Sequence, residues 1–250
     1  MTPEQAVAVL LSGVAAGGIN TLVGSGTLVT FPTLLGIGLA PVTANATNTI
    51  GLVLGSVSGA WGYRRELAGQ RARLVRLGLM SALGGLAGGV LLLTLPSDTF
   101  EAVVPVLVAI ACVLVLLQPV LARRTAAREH QTPAHGGPWL AGGVWVTGVY
   151  GGYFGAAQGV LLLGLMGSLL DEGLHRINAA KNVLAAIVNG IAAVLFAFAA
   201  PVEWKVVPLL AGGALVGGAL AGRYGRRIPT TVLRWLIVAV GVVAIVQLVL

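Results

Sequence analysis

Eight apolar stretches follow one another along this 250-residue chain, and the charged residues are confined almost entirely to the short segments between them. Six of the stretches, at approximately 43–63, 74–95, 100–121, 177–200, 206–222 and 232–250, are long enough to cross a bilayer as helices. Only 9% of the residues are charged, and the mean hydropathy is +0.95. An average soluble domain carries about 25% charged residues, and a chain this poor in charge cannot clothe a globular surface with polar groups. The sequence therefore predicts an all-α polytopic integral membrane protein, and the same composition excludes a disordered chain.

The other two stretches, about 6–40 and 139–170, are too long for one helix. Each is interrupted by glycine: the first reads GGINTLVGSGT at 17–27, the second GGYFGAAQG at 151–159. Each break leaves two arms of roughly 14–17 residues, short for full spans and suited to a hairpin of half-helices.

Basic residues set the expected orientation. Placing Arg64, Arg65, Arg71, Arg73, Arg76, Arg123, Arg124, Arg128, Arg176, Lys181, Arg223, Arg226, Arg227 and Arg234 on the cytoplasmic side leaves only Lys205 of the 15 Lys and Arg outside. Asp98, Glu101 and Glu203 then fall outside, and the C-terminus is predicted outside as well. With this assignment the second broken stretch enters and leaves on the cytoplasmic side, and the first starts and ends on the outer side.

The two halves resemble each other. Gly17-Gly18 aligns with Gly151-Gly152, and Asn48 with Asn182, at a common offset of 134. Each half also carries a helix with doubled small-residue spacing, Gly84, Gly85, Gly88 and Gly89 in one and Gly213, Gly217, Gly218 and Gly222 in the other. Such spacing serves close helix contact, within the chain or between copies of it. The expectation is two inverted repeats, each a broken glycine-rich hairpin plus three transmembrane helices: a first half at 1–122, a basic cytoplasmic loop at 123–138 and a second half at 139–250. Inverted repeats with broken helices meeting at the midplane are an architecture of secondary transporters.

Motifs for catalysis are scarce. Gly24-Ser25-Gly26 lacks the GK that would make a phosphate loop. His130, His135 and His175 all lie in inner connections, with no paired-carboxylate or HExxH constellation. One cysteine, Cys112, excludes an internal disulfide and a cysteine-based zinc site. No enzyme activity, cofactor or metal is expected. The net charge of +7 reads as basic cytoplasmic loops, not as a nucleic-acid footprint. The N-terminus, with Glu4 and no basic stretch, does not read as a cleaved signal peptide.

Polar side chains inside the apolar stretches are more informative, because an unpaired amide in hydrocarbon costs several kcal/mol. They are Asn20, Thr21 and Ser25 at the first break, then Asn45, Thr47 and Asn48; and Gln158 at the second break, then Asn178, Lys181, Asn182 and Asn189. Asn178, Asn182 and Asn189 share one helical face, with Lys181 at its border. They read either as interhelical glue or as a substrate pathway, and their position beside both glycine breaks favours the pathway. A half-helix that begins at a glycine break aims N–H groups and a positive dipole end at the cavity, which suits an anion. Lys181 is the only basic residue there, and no Asp or Glu lies deep in a span.

These segments resemble a known family. GG-x5-GSGTLVTFPTLLGIGLAPVTANATN at 17–48 is similar to the N-terminal signature of the sulfite exporter TauE/SafE family, and GVYGGYFGAAQGVLLLGLMGSLLDEGLHRINAAKN at 148–182 to its second-half signature. The resemblance covers essentially the whole chain. It implies transport of small sulfur-containing anions such as sulfite, thiosulfate or organosulfonates across the cytoplasmic membrane, with export the expected direction. Carried over by position, the substrate-binding candidates are Gly24, Gly26, Pro32, Asn45 and Asn48 in the first half, and Ser25, a polar residue at the same break, joins them from the chain's own pattern. Their counterparts in the second are Gly155, Gln158, Gly159, Asn178, Lys181 and Asn182. Ser25 and Thr27, and Ala156-Ala157, interrupt the family's runs of consecutive glycines. The expected partners are a small anionic substrate and the lipid bilayer, with the oligomeric state left open. The alternatives are a transporter of another small organic anion on the same fold, or a membrane scaffold that moves nothing.

Overall fold

Prolines and capping side chains mark where the helices begin. In the computed structural model, which describes residues 1–126, 136–224 and 230–249, Thr2 caps the first helix. Its hydroxyl accepts from the Gln5 N–H at 3.3 Å, and the Gln5 side chain accepts from the Thr2 N–H at 2.9 Å. Pro3, Pro41 and Pro138 each open a helix, where the missing N–H costs nothing. Among the described residues there are ten helices and no strand: α1 (Pro3–Leu22), α2 (Thr27–Gly36), α3 (Pro41–Gly62), α4 (Arg71–Thr94), α5 (Ser97–Ala126), α6 (Pro138–Tyr153), α7 (Gln158–Leu169), α8 (Leu174–Ala199), α9 (Val207–Tyr224) and α10 (Thr230–Val249). Residues 127–135 of the expected central loop, with Arg128, His130 and His135, lie outside the described residues, as do Arg226 and Arg227.

The six expected spans lie in α3, α4, α5, α8, α9 and α10. By length and apolar composition, α1, α4, residues 97–120 of α5, and α8 each suffice to cross a membrane. Large apolar side chains cover the outward faces, among them Val75 and Leu79 on α4 and Val106 and Val113 on α5, while Trp61, Trp139, Trp204 and Trp235 stand exposed near helix ends. That pattern fits a lipid surround with an aromatic belt.

Both stretches interrupted by glycine are broken, but not into equal arms. The first gives helices of 20 and 10 residues, the second 16 and 12. The reason is that the paired glycines do not break the helix. Gly17 lies inside α1 facing α9, where a Cβ would collide with the Ala214 backbone, and Gly152 lies inside α6 against the Gly85 backbone on α4, so both serve close packing. The turns fall later, at Gly24 with φ +89° and at Gly155 with φ +80°.

Packing between the halves is reciprocal. Helix α1 lies on α9 and α6 on α4; α3 packs on α9 and α8 on α4; α3 meets α8, and α5 meets α10. The glycine stripes are the seats of these contacts. Gly84 and Gly88 of α4 take the α6 backbone, while Gly85 and Gly89 take α8; Gly213 and Gly217 of α9 take the α1 backbone, while Gly218 and Gly222 take α3. Both stripes are thus spent on packing inside the chain.

Candidate functional site

The two glycine breaks touch each other. The Gly159 N–H donates to the Gly24 carbonyl at 3.0 Å, and a Cβ on either glycine would run into the other's backbone. A side chain at Gly24 would also be strained by its positive φ. In the second break Ala157 too adopts the left-handed conformation, φ +58°. The amide ends of α2 and α7 are partly occupied from within: Asn20 Oδ1 accepts from the Gly26 N–H at 3.4 Å, and Gly159 serves Gly24.

The carbonyl ends of α1 and α6 converge on the same region, each held by the other half. Lys181 of α8, fully buried at 0% exposure, donates its ammonium to the Asn20 carbonyl at 2.9 Å and the Thr21 carbonyl at 3.2 Å. Asn178 and Asn182, one turn apart, also donate to the Thr21 carbonyl, at 3.2 and 3.3 Å. A cation at a helix C-terminus meets the negative end of the dipole. On the other side Asn45 of α3 donates to the Tyr153 carbonyl at the end of α6, at 2.9 Å. Asn48 accepts from Thr30 and donates to Thr27 at 3.3 Å, which ties α3 to the start of α2. The Lys181 stem also reaches the crossing: a Cβ on Gly159 would lie 3.1 Å from its Cδ.

Eleven of the twelve candidate residues therefore border this crossing or the helix ends that flank it, while Pro32 lies inside α2. Gly24, Ser25 and Gly26 form the first turn and Gly155, Gln158 and Gly159 the second, with the Gln158 side chain lying against Gly151. Asn45, Asn178, Lys181 and Asn182 hold the carbonyl ends, and Asn48 holds the first turn of α2. Asn189 donates to Ser56 on α3 at 3.1 Å, a hydroxyl that also accepts from Asn20 at 3.5 Å, and Thr47 accepts from the Glu203 N–H at 3.0 Å. Four buried side-chain atoms here have no hydrogen-bond partner: Ser25 Oγ, Asn45 Oδ1, Gln158 Nε2 and Asn178 Oδ1. Among the described residues, no cluster of His, Cys, Asp and Glu could hold a metal ion, and Lys181 pairs with no carboxylate.

Two features escaped the sequence. Phe31, Phe100 and Phe154 pack edge to face beside Tyr153, with ring centroids 5.3 to 6.0 Å apart, and cover the α6 end. These residues come from three separate elements, so no local pattern announces them. The second is an ion-pair cluster between the α3–α4 and α7–α8 connections. Glu172 accepts from Arg73 at 3.0 Å and from Arg176 at 2.6 Å; the Gln70 side chain accepts from Arg73 and donates to the Arg176 carbonyl. Burial alone would raise the Glu172 carboxyl, but hydrogen bonds and charge from Arg176 and Arg73 outweigh it and hold the carboxyl below its usual range. A cavity of about 430 Å³ opens elsewhere, between Leu35, Leu39, Pro41, Glu101 and Leu248; none of the candidate residues lines it.

Comparison with known proteins agrees with the resemblance. The family profile described as Sulfite exporter TauE/SafE matches residues 9–248. The chain is 29% identical over 216 residues to the "Probable membrane transporter protein YfcA" of Escherichia coli K12, covering 85% of this chain and 76% of that one. It is 27% identical over 234 residues to the "Probable membrane transporter protein ORF9" of a Sinorhizobium species, covering 93% and 88%. With a "Probable membrane transporter protein" of Haemophilus influenzae it shares 24% over 229 residues, covering 90% and 87%. No solved structure gives a significant match.

Proposed function

The chain belongs to the sulfite exporter TauE/SafE family of membrane transporters, and from that premise we propose that it carries a small sulfur-containing anion out across the cytoplasmic membrane. The anion binds where the two glycine breaks cross. The observation that carries this reading is Lys181: a fully buried ammonium, beside both breaks, with backbone carbonyls and no carboxylate for partners. A buried charge is costly unless something offsets it. Carbonyl dipoles offset part of that cost, and an anion in transit offsets the rest.

The halves act as inverted repeats, with basic connections inside and the C-terminus outside. Their reciprocal packing supports this, since each half supplies the side chains that hold the other's hairpin. Rocking of one half against the other about the glycine crossing would open the site to each side in turn. The cavity at Pro41 and Glu101 lies near the outer end of α3, whose Asn45 follows Pro41 by one turn, and serves as the outer approach.

The test is flux in proteoliposomes with sulfite, thiosulfate, a short sulfonate, sulfate and acetate at clamped membrane potential, for the native protein and Lys181→Ala. Saturable flux of a sulfur anion that the substitution weakens is the expected result. Acetate moving while no sulfur anion does would keep the transporter and discard its substrate. Silence across the panel from folded protein would discard transport and leave a scaffold.

A further inference from the structure

Two side-chain oxygens at the site are fixed as acceptors. Asn45 Nδ2 donates to the Tyr153 carbonyl at 2.9 Å and Asn178 Nδ2 to the Thr21 carbonyl at 3.2 Å. A carbonyl can only accept, so each amide must turn its nitrogen to it and its oxygen the other way. Asn45 Oδ1 and Asn178 Oδ1 are buried without a partner, on residues 0% and 7% exposed. The two amides hold different hairpin ends, Asn45 that of α6 and Asn178 that of α1, and the turns that follow those ends meet at the Gly24–Gly159 contact. The same region holds donors. The Ser25 hydroxyl and Gln158 Nε2 are buried and unpartnered, and Lys181 has given two of its three ammonium protons to carbonyls.

This complement does not match an anion that consists of acceptors alone. The oxygens of such an ion satisfy Ser25 and Lys181 but face Asn45 Oδ1 and Asn178 Oδ1 with lone pairs against lone pairs. A buried acceptor left without a donor weakens binding, and a site built to bond a substrate's O–H or N–H rejects the analogue that lacks it. We propose that the transported anion carries at least one hydrogen-bond donor of its own, which Asn178 Oδ1 accepts at one hairpin end and Asn45 Oδ1 at the other. Of the sulfur oxyanions this selects the singly protonated form over the dianion, and of the sulfonates those with a hydroxyl or amino group. The inference rests on the transport reading above and names the chemical class within it.

Two sulfonates isolate the donor. 2-Hydroxyethanesulfonate and 1-propanesulfonate have the same number of heavy atoms and the same single charge, and differ by a hydroxyl in place of a methyl. Their rates are measured below saturation in proteoliposomes of the full chain, beside sulfite and thiosulfate. The hydroxylated anion is expected to move at least about tenfold faster. In Asn178→Leu, where Lys181 and Asn182 still hold the Thr21 carbonyl, the ratio is expected to fall toward one. Should that variant not fold, the native ratio alone decides. Equal rates in the native protein would overturn the inference while leaving anion transport standing, since water would then be satisfying both amide oxygens. Saturable flux of none of the four anions would overturn the transport reading, and this inference with it.

Discussion

The two hairpin ends are built on one plan and finished differently. At the end of α1 the carbonyls meet a charged ammonium and two amides, all from α8; at the end of α6 the carbonyl meets one amide from α3, and three phenylalanines and Tyr153 seal the surroundings. At the offset that aligns Asn48 with Asn182, Lys181 corresponds to Thr47, which is spent on the Glu203 N–H. The site's charge therefore comes from one half alone. One hairpin end is thus held by an ammonium and amides, and the other by a single amide under an apolar seal.

Substitution at each end sharpens this contrast. Lys181→Ala removes hydrogen bonds from a charged donor, worth about 1.5–3 kcal/mol, and anion flux is expected to fall by about a hundredfold in folded protein. Asn45→Ala removes one neutral hydrogen bond of about 1 kcal/mol, and flux is expected to fall by only about fivefold. Comparable losses in parallel liposome assays would show the halves to be functionally equal.

A smaller effect belongs to the Glu172 cluster, which spans the halves on the side that carries the arginines. Because the folded carboxyl is held below its usual range, its contribution is full above the ordinary carboxylate range and is lost as pH falls through the lowered value. The melting temperature of the native protein is expected to exceed that of Glu172→Gln at neutral pH, by an amount corresponding to about 1 kcal/mol or less. The two curves are expected to merge in acid. A difference that persists at the lowest pH would assign the cluster's value to shape and not to charge.

The smallest effect is in the second break. Ala157 holds a left-handed conformation, which costs an L-residue about 1 kcal/mol. Ala157→Gly is expected to raise thermal stability by less than that, since glycine loses more freedom on folding. A lower melting temperature would mean that the Ala157 methyl, buried in the break, contributes more packing than its backbone costs.

Much of this was legible from the residues. Helices at the six expected spans followed from apolar length, and the two breaks from glycine inside stretches too long for one helix; that α1, expected as a short arm, is itself long and apolar enough to cross a membrane did not. Asn45, Asn48, Asn178, Lys181 and Asn182 stood out because amides and an ammonium are expensive in hydrocarbon. Where each break falls was not legible. Gly17 and Gly24 look alike in a string, but Gly17 lies inside α1 against the Ala214 backbone while Gly24 turns the chain at positive φ. Nor could the sequence indicate that the partners of Lys181 are the carbonyls of Asn20 and Thr21, because every residue has one. Arg73, Arg176 and Glu172 were visible only as connection charges; their pairing depends on two distant connections meeting.

Reciprocal holding of the hairpins also bears on the order of synthesis. The side chains that bind the Asn20 and Thr21 carbonyls lie on α8, which leaves the ribosome long after α1 has entered the bilayer. Until α8 arrives, the Asn20 and Thr21 carbonyls lack the partners that hold them in the finished fold, and hydrocarbon offers none. The first half is thus inserted before it is finished, and its hairpin waits, wet or shielded by other means, for the second half to be made.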